Sequence, residues 1–174
     1  MICFLAGDSV NRQNCSGVQM LRSVLNRRPN AIARIRGSES YDNILGMVWF
    51  YQTSKGVYVV TEVDGLPQGC GECKSPVFGY HIHSGSACAG NMEDAFADTR
   101  GHYNPDNCEH PHHAGDMPLL FGNHGYAFSV FYSDRFCVCD IIGKTVIIHL
   151  NPDDFHTQPA GNSGTKIACG KIEA

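Results

Sequence analysis

Charge is sparse along this chain, basic residues do not cluster, and no apolar run reaches the length of a bilayer. Only 17% of the 174 residues are charged, and 13 basic side chains face 17 acidic ones, for a net charge of −4. A chain without a basic block has nothing to set against a phosphate lattice, which excludes nucleic acid and an anionic membrane surface as partners. The lack of a long apolar run excludes a membrane-spanning helix. The amino end, Met1-Ile2-Cys3-Phe4-Leu5-Ala6-Gly7, is apolar but has no basic start and gives way to Asp8 and Asn11. It is a poor secretory signal, so a cytoplasmic location is expected. Repeats and low-complexity segments are absent too. One domain with a tail is the simplest organisation, and it is long enough to bury a core without staples.

Turn residues, by contrast, are plentiful: 19 Gly and 8 Pro accompany a 43% hydrophobic fraction. That composition favours many short strands in a soluble globular chain. Residues 1–28 read as a tail in which Val18, Leu21, Val24 and Leu25 have the spacing of one short amphipathic helix. Runs rich in β-branched and aromatic residues then predict eight strands: Ala31 to Arg36, Ile44 to Gln52, Val57 to Val63, Phe78 to His83, Tyr126 to Tyr132, Arg135 to Asp140, Lys144 to Leu150 and Lys166 to Ile172. The second and third form a hairpin across Ser54-Lys55-Gly56. The expected fold is all-β, an eight-stranded sandwich or flattened barrel. Between Ser84 and Phe121 there are turn residues throughout and little periodicity, and a loop of that length needs a function to justify it.

The chemistry-bearing stretch runs from Gly79 to Asp116. It opens with Gly79-Tyr80-His81-Ile82-His83, reaches His102 nineteen residues after His83, and continues through His110, His113 and Asp116. His81 and His83, two apart on a strand, leave the same face and can meet one ion. Imidazole suits copper and zinc, and an added carboxylate can complete a tetrahedral zinc site. Coordination would also replace the apolar core that the loop lacks.

At these residues the sequence resembles the copper-zinc superoxide dismutases. The matching pieces, in the family's order, are Gly79-Tyr80-His81-Ile82-His83, Gly101-His102-Tyr103-Asn104-Pro105, His113-Ala114-Gly115-Asp116, Val146-Ile147-Ile148-His149, Gly161-Asn162-Ser163-Gly164 and Ala168-Cys169-Gly170. The resemblance covers roughly Asn30 to Ile172, makes residues 29–174 a dismutase-like domain, and implies a Greek-key barrel with long metal-binding loops. It assigns copper to His81, His83, His102 and His149, and zinc to His102, His110, His113 and Asp116, with His102 bridging the two. Asp153 matches a carboxylate that accepts hydrogen bonds from a ligand of each metal, here His81 and His110, although Asp154 stands beside it and is an alternative. His112, His124 and His156 match no ligand position.

The implied activity is conversion of superoxide to oxygen and hydrogen peroxide by copper alternating between Cu(II) and Cu(I), with His102 delivering a proton. Superoxide is the small-molecule substrate; a homodimer is compatible, and the copper donor is not specified. Where the family carries an arginine that holds superoxide, this chain has Lys166, which keeps the charge but loses the planar fork of donors. The linker from His83 to Cys88 resembles the short bacterial form, residues 91–100 match no motif, and the segment from Asn151 to Gly164 is short with few charges. The competing expectation is a metal-binding module of the same fold that stores or delivers copper, or serves a structural role, without significant turnover.

Nine cysteines are an odd number, so at least one cannot pair within the chain. The resemblance pairs Cys88 with Cys169. Cys70 and Cys73 read as a local disulfide or two thiols, Cys137 and Cys139 as thiols on one strand face, and Cys108 as a thiol in the zinc loop with an additional ligand role as the alternative. No spacing fixes a partner for Cys3 or Cys15.

Overall fold

The alternation of side chains along each strand decides which surface is core and which carries the site. A computed structural model describes residues 17–69 and 76–174, so the predicted readings of Cys3, Cys15, Cys70 and Cys73 fall outside the described residues. Its strands are β1 (Ala31–Gly37), β2 (Leu45–Gln52), β3 (Val57–Asp64), β4 (Val77–Phe78), β5 (Tyr80–His83), β6 (Leu120–Phe121), β7 (Ala127–Ser133), β8 (Thr145–His149) and β9 (Lys166–Glu173). Seven of them form one antiparallel sheet in the order β5-β8-β9-β1-β2-β3-β7, while β4 pairs with β6 alone. In β1, Ala31, Ala33 and Ile35 point inward and Arg34 and Arg36 outward; in β3, Val57, Val59 and Val63 join the same core. The predicted hairpin forms with Gln52 opposite Val57, its turn closed by Thr53 N–H donating to the Gly56 carbonyl at 2.8 Å.

Strands β5 and β8 are covered on both sides. In β8, Val146 and Ile148 belong to the core, whereas Ile147 packs outward against Phe96 and Cys169. In β5, Tyr80 and Ile82 are core residues, so His81 and His83 emerge on the opposite face. The histidine site therefore lies outside the barrel, beneath the long loop.

The outer face elsewhere is capped by α1 (Gly17–Leu25). Val24 and Met20, one helical turn apart, pack on Tyr51, Val60, Trp49, Tyr58 and Val130. Of the expected stripe Val24 is buried and Leu21 half-buried, whereas Val18 is 77% and Leu25 44% exposed, and Met20 takes their place. No helix among the described residues is long and apolar enough to cross a membrane.

One predicted strand is absent. Arg135 to Asp140 does not extend; α2 (Val138–Ile141) forms there instead. The cause is local: Cys137 N–H donates to Asp140 Oδ2 at 3.0 Å while the Asp140 N–H donates to the Cys137 carbonyl at 3.0 Å, a reciprocal cap. Val138 N–H is drawn to Gln52 Oε1 at 2.7 Å, and Val138 and Ile141, three apart, both enter the core. Cys137 and Cys139 consequently do not share a strand face, although their sulfurs and an Asp140 oxygen lie within 4.8 Å of one another.

Candidate metal centre

The loop after β5 returns twice along that strand, and its backbone delivers the site. Tyr103 N–H donates to the Ile82 carbonyl at 2.8 Å, Gly115 N–H to the Tyr103 carbonyl at 2.8 Å, and Ile82 N–H to the Gly115 carbonyl at 2.9 Å. His102 is thereby bridged to His83, and Asp116 to His81. Gly115 has no side chain to spare at this crossing, because a Cβ there would strike the Ile82 carbonyl oxygen. His149 enters from the end of β8, paired with β5 in antiparallel register.

Four of the imidazoles each have one nitrogen committed to a protein partner, and this fixes which nitrogen is bare. His81 Nε2 donates to Asp153 Oδ2 at 2.7 Å and His110 Nε2 to Asp153 Oδ1 at 2.9 Å. His83 Nδ1 donates to the Arg100 carbonyl at 2.8 Å, and His149 Nδ1 to the Gly164 carbonyl at 3.1 Å. The bare atoms converge. His83 Nε2 and His149 Nε2 lie 3.3 Å apart with a lone pair on each. His81 Nδ1, His102 Nε2 and His110 Nδ1 are buried without a hydrogen-bond partner, although His110 Nδ1 approaches Asp116 Oδ2 to 3.1 Å. On the other side of His102, its Nδ1 lies 2.7 Å from Asp116 Oδ1 and 3.4 Å from His113 Nδ1.

Lone pairs that face one another in a buried pocket repel unless a cation lies between them, and orphaned acceptors cost about 1–3 kcal/mol each. These residues therefore fit two metal ions. One group comprises His81, His83, His102 and His149, the other His102, His110, His113 and Asp116, and within each the ligand atoms lie within 4.8 Å of one another. Nitrogen with a single carboxylate is the donor set suited to copper and zinc.

The family model described as copper/zinc superoxide dismutase (SODC) matches residues 44–172. The chain belongs to the copper/zinc superoxide dismutase family. It is 31% identical over 137 residues to the enzyme named superoxide dismutase [Cu-Zn] of Legionella pneumophila, covering 74% of this chain and 78% of that one. It is 30% identical over 178 residues to the extracellular superoxide dismutase [Cu-Zn] of Drosophila melanogaster, covering 91% and 92% respectively. Among solved structures, a double mutant of a SOD-like protein from Bacillus subtilis superposes with a TM-score of 0.67 at 28% identity, covering 82% of this chain and 97% of that one. The curled antiparallel sheet is the fold of this dismutase family, whose metals are copper and zinc.

Electrostatics in this dismutase fold favour neutral imidazoles. Burial pushes His81 down to about 4 and His149 down to about 3, and holds His83 well below its ordinary value. Burial alone would raise the Asp153 and Asp116 carboxyls, yet hydrogen bonds from His81 and His102 hold both below the usual carboxylate range. A histidine depressed in the folded state binds its proton only when unfolded, so between pH 6.5 and about 4 the unfolded chain binds more protons. The metal-free protein is therefore expected to lose stability as pH falls from about 6.5 to 4, with little further loss from His81 below that. Urea midpoints of metal-free protein measured at pH 7.5, 6 and 4.5 test this; a flat profile would refute it.

The other residues singled out in the sequence fall as follows. Asp153 is 4% exposed and sits between His81 and His110, with Phe155 N–H donating to its Oδ1 at 2.7 Å. Asp154 turns away to bind Thr157 and His156, so it does not take that place. Gly161, at φ 63°, lies where a Cβ would collide with Asp153 Oδ1. Cys88 and Cys169 form the disulfide. Cys108 is an exposed thiol in neither ligand group, and His112, His124 and His156 are exposed. Lys166, opposite His149 in the β8–β9 register, donates to Asp94 Oδ2 and the Phe96 carbonyl. Sequence reasoning missed the Arg100 and Gly164 carbonyls that orient His83 and His149. A backbone acceptor leaves no signature in residue type, although the positive φ of Arg100 and Gly164, 62° and 71°, marks where the chain turns to present them.

Proposed function

We propose that this protein converts two superoxide anions and two protons to oxygen and hydrogen peroxide, with His81, His83, His102 and His149 holding copper and His102, His110, His113 and Asp116 holding zinc. The observation that carries this reading is His102, which turns one nitrogen to each group: Nδ1 toward Asp116 and His113, and the bare Nε2 toward His81, His83 and His149. Bound copper supplies one-electron chemistry, whereas zinc has no accessible redox change.

The chain's own residues supply orientation and protons. Asp116 fixes the His102 ring from its Nδ1 side, leaving Nε2 as the atom that takes up a proton and releases it to the departing peroxide. The carbonyls of Arg100 and Gly164 keep His83 and His149 in the tautomer whose Nε2 is a donor to metal. Lys166 presents an ammonium near His149, where an anion would be met.

The test is superoxide dismutation by the copper- and zinc-loaded protein beside His81→Ala and a metal-free sample, with bound metals counted in each. Removing His81 is expected to lower kcat/KM by more than about 100-fold, beyond what losing an outer hydrogen-bond partner costs. Full metal occupancy without turnover in the wild-type chain would instead assign it to metal storage, delivery or a structural role.

A further inference from the structure

We propose that Asp94 is a positioning residue for the anion site beside copper: it clamps Lys166 and masks its charge, so that the site orients its substrate through one remaining ammonium proton. The inference rests on the dismutation reading of the His81, His83, His102 and His149 group, and assigns a role to the segment 91–100.

That segment is built to fix one carboxylate. Asn91 Oδ1 accepts the Glu93 and Asp94 N–H groups at 2.9 and 3.0 Å, while the Asp94 carbonyl accepts from the Asn91 and Ala97 N–H groups at 2.9 and 3.1 Å. Asp94 Oδ1 caps the Phe96 N–H at 2.9 Å. Gly90 is confined by the fold, since a Cβ there would strike the Asp94 carbonyl. Phe96, 6% exposed, packs on Ile147 and Cys169, and Cys169 is tied by its disulfide to Cys88 at the start of the same loop. The segment is thus fastened to β8 and β9, the strands that carry His149 and Lys166.

From this frame Asp94 Oδ2 accepts a hydrogen bond from Lys166 Nζ at 2.7 Å, and the Phe96 carbonyl accepts a second at 3.1 Å. The lysine side chain is 14% exposed. An ammonium has three donors, so two are committed and one is left. A lysine is a point charge on a flexible stem, unlike a guanidinium with its rigid fork. Asp94 provides the missing rigidity, at the expense of net charge: the pair sums to zero. Attraction of an anion from solution is surrendered and orientation is kept.

The probe is azide, a small anion that binds copper, titrated into copper- and zinc-loaded protein and followed by visible absorption. Variants are Asp94→Asn, Asp94→Ser, Lys166→Met and Asp94→Asn with Lys166→Met. Serine retains a hydroxyl acceptor for the Phe96 N–H, which keeps the test open if the asparagine variant folds poorly. Both Asp94 variants are expected to tighten azide by about three- to tenfold and to steepen the fall of kcat/KM with added salt. In the Lys166→Met background the Asp94 change is expected to do neither. Unchanged or weaker azide binding in metal-replete Asp94 variants overturns the proposal, as does equal tightening without Lys166, which would mean that Asp94 acts directly through its own charge. If wild-type protein shows no dismutation while azide responds as expected, the proposed function fails and the clamp stands. If it dismutates superoxide and the Asp94 variants bind azide as it does, only the clamp fails.

Discussion

Asp153→Ala is expected to weaken copper and zinc binding together, each by about 10–100-fold, although Asp153 belongs to neither ligand group. Its two oxygens accept from His81 Nε2 and His110 Nε2, one histidine of each group. Without them both rings lose the contact that sets which nitrogen is bare, and two buried N–H groups lose their acceptor, a cost of about 1–3 kcal/mol apiece. Asparagine at this position sharpens the test. Its carbonyl can still accept from one ring, but its amide turns a donor toward the other, so one metal should suffer far more than the second. Chelator competition with both metals counted reads each affinity separately. Unchanged zinc affinity in the alanine variant would show that the two groups are not joined through this carboxylate.

The second large effect is on stability. Cys169→Ser opens a covalent loop spanning 81 residues, and chain-entropy reasoning puts the loss at roughly 4 kcal/mol. The bond does more than shorten the unfolded chain. It anchors the loop carrying Phe96 and the Arg100 carbonyl that orients His83, so the serine variant is also expected to bind copper more weakly than zinc. Urea unfolding of metal-free Cys88→Ser should show the chain-entropy loss, Cys169→Ser somewhat more because its hydroxyl is buried against Phe96 and Ile147, and the double variant no more than Cys169→Ser. A loss below about 1 kcal/mol would mean that packing of Phe96 on Ile147 already holds the loop.

Much of the fold was legible because the strands are rich in β-branched and aromatic residues bounded by turn residues. The predicted runs Val57 to Val63 and Lys166 to Ile172 lie within one residue of the observed ends. The two side-chain clusters were legible because His81 and His83 share a strand face and the later histidines match a family pattern. Arg135 to Asp140 misled because Val138 is β-branched, while the outcome was set by a reciprocal cap between Cys137 and Asp140 and by Gln52, 86 residues away from Val138 in sequence. The exposed Val18 and Leu25 misled the helix in the opposite way. Spacing shows that a helix can have an apolar stripe, but only the aromatic surface of β2 and β3 chooses which turn of it to bury. Residues 91–100 stayed silent because their hydrogen bonds are made by turn-forming side chains, with no period to detect, and because the partner of Asp94 lies 72 residues on.

The alternation in β5 has one more consequence. Because Tyr80 and Ile82 face the core while His81 and His83 face the loop, sliding this strand by one residue against β8 would exchange the two pairs, driving both imidazoles into the apolar interior. Misalignment would thus remove the site and spoil the core in a single error, so the two histidines police the alignment of the strand they leave from.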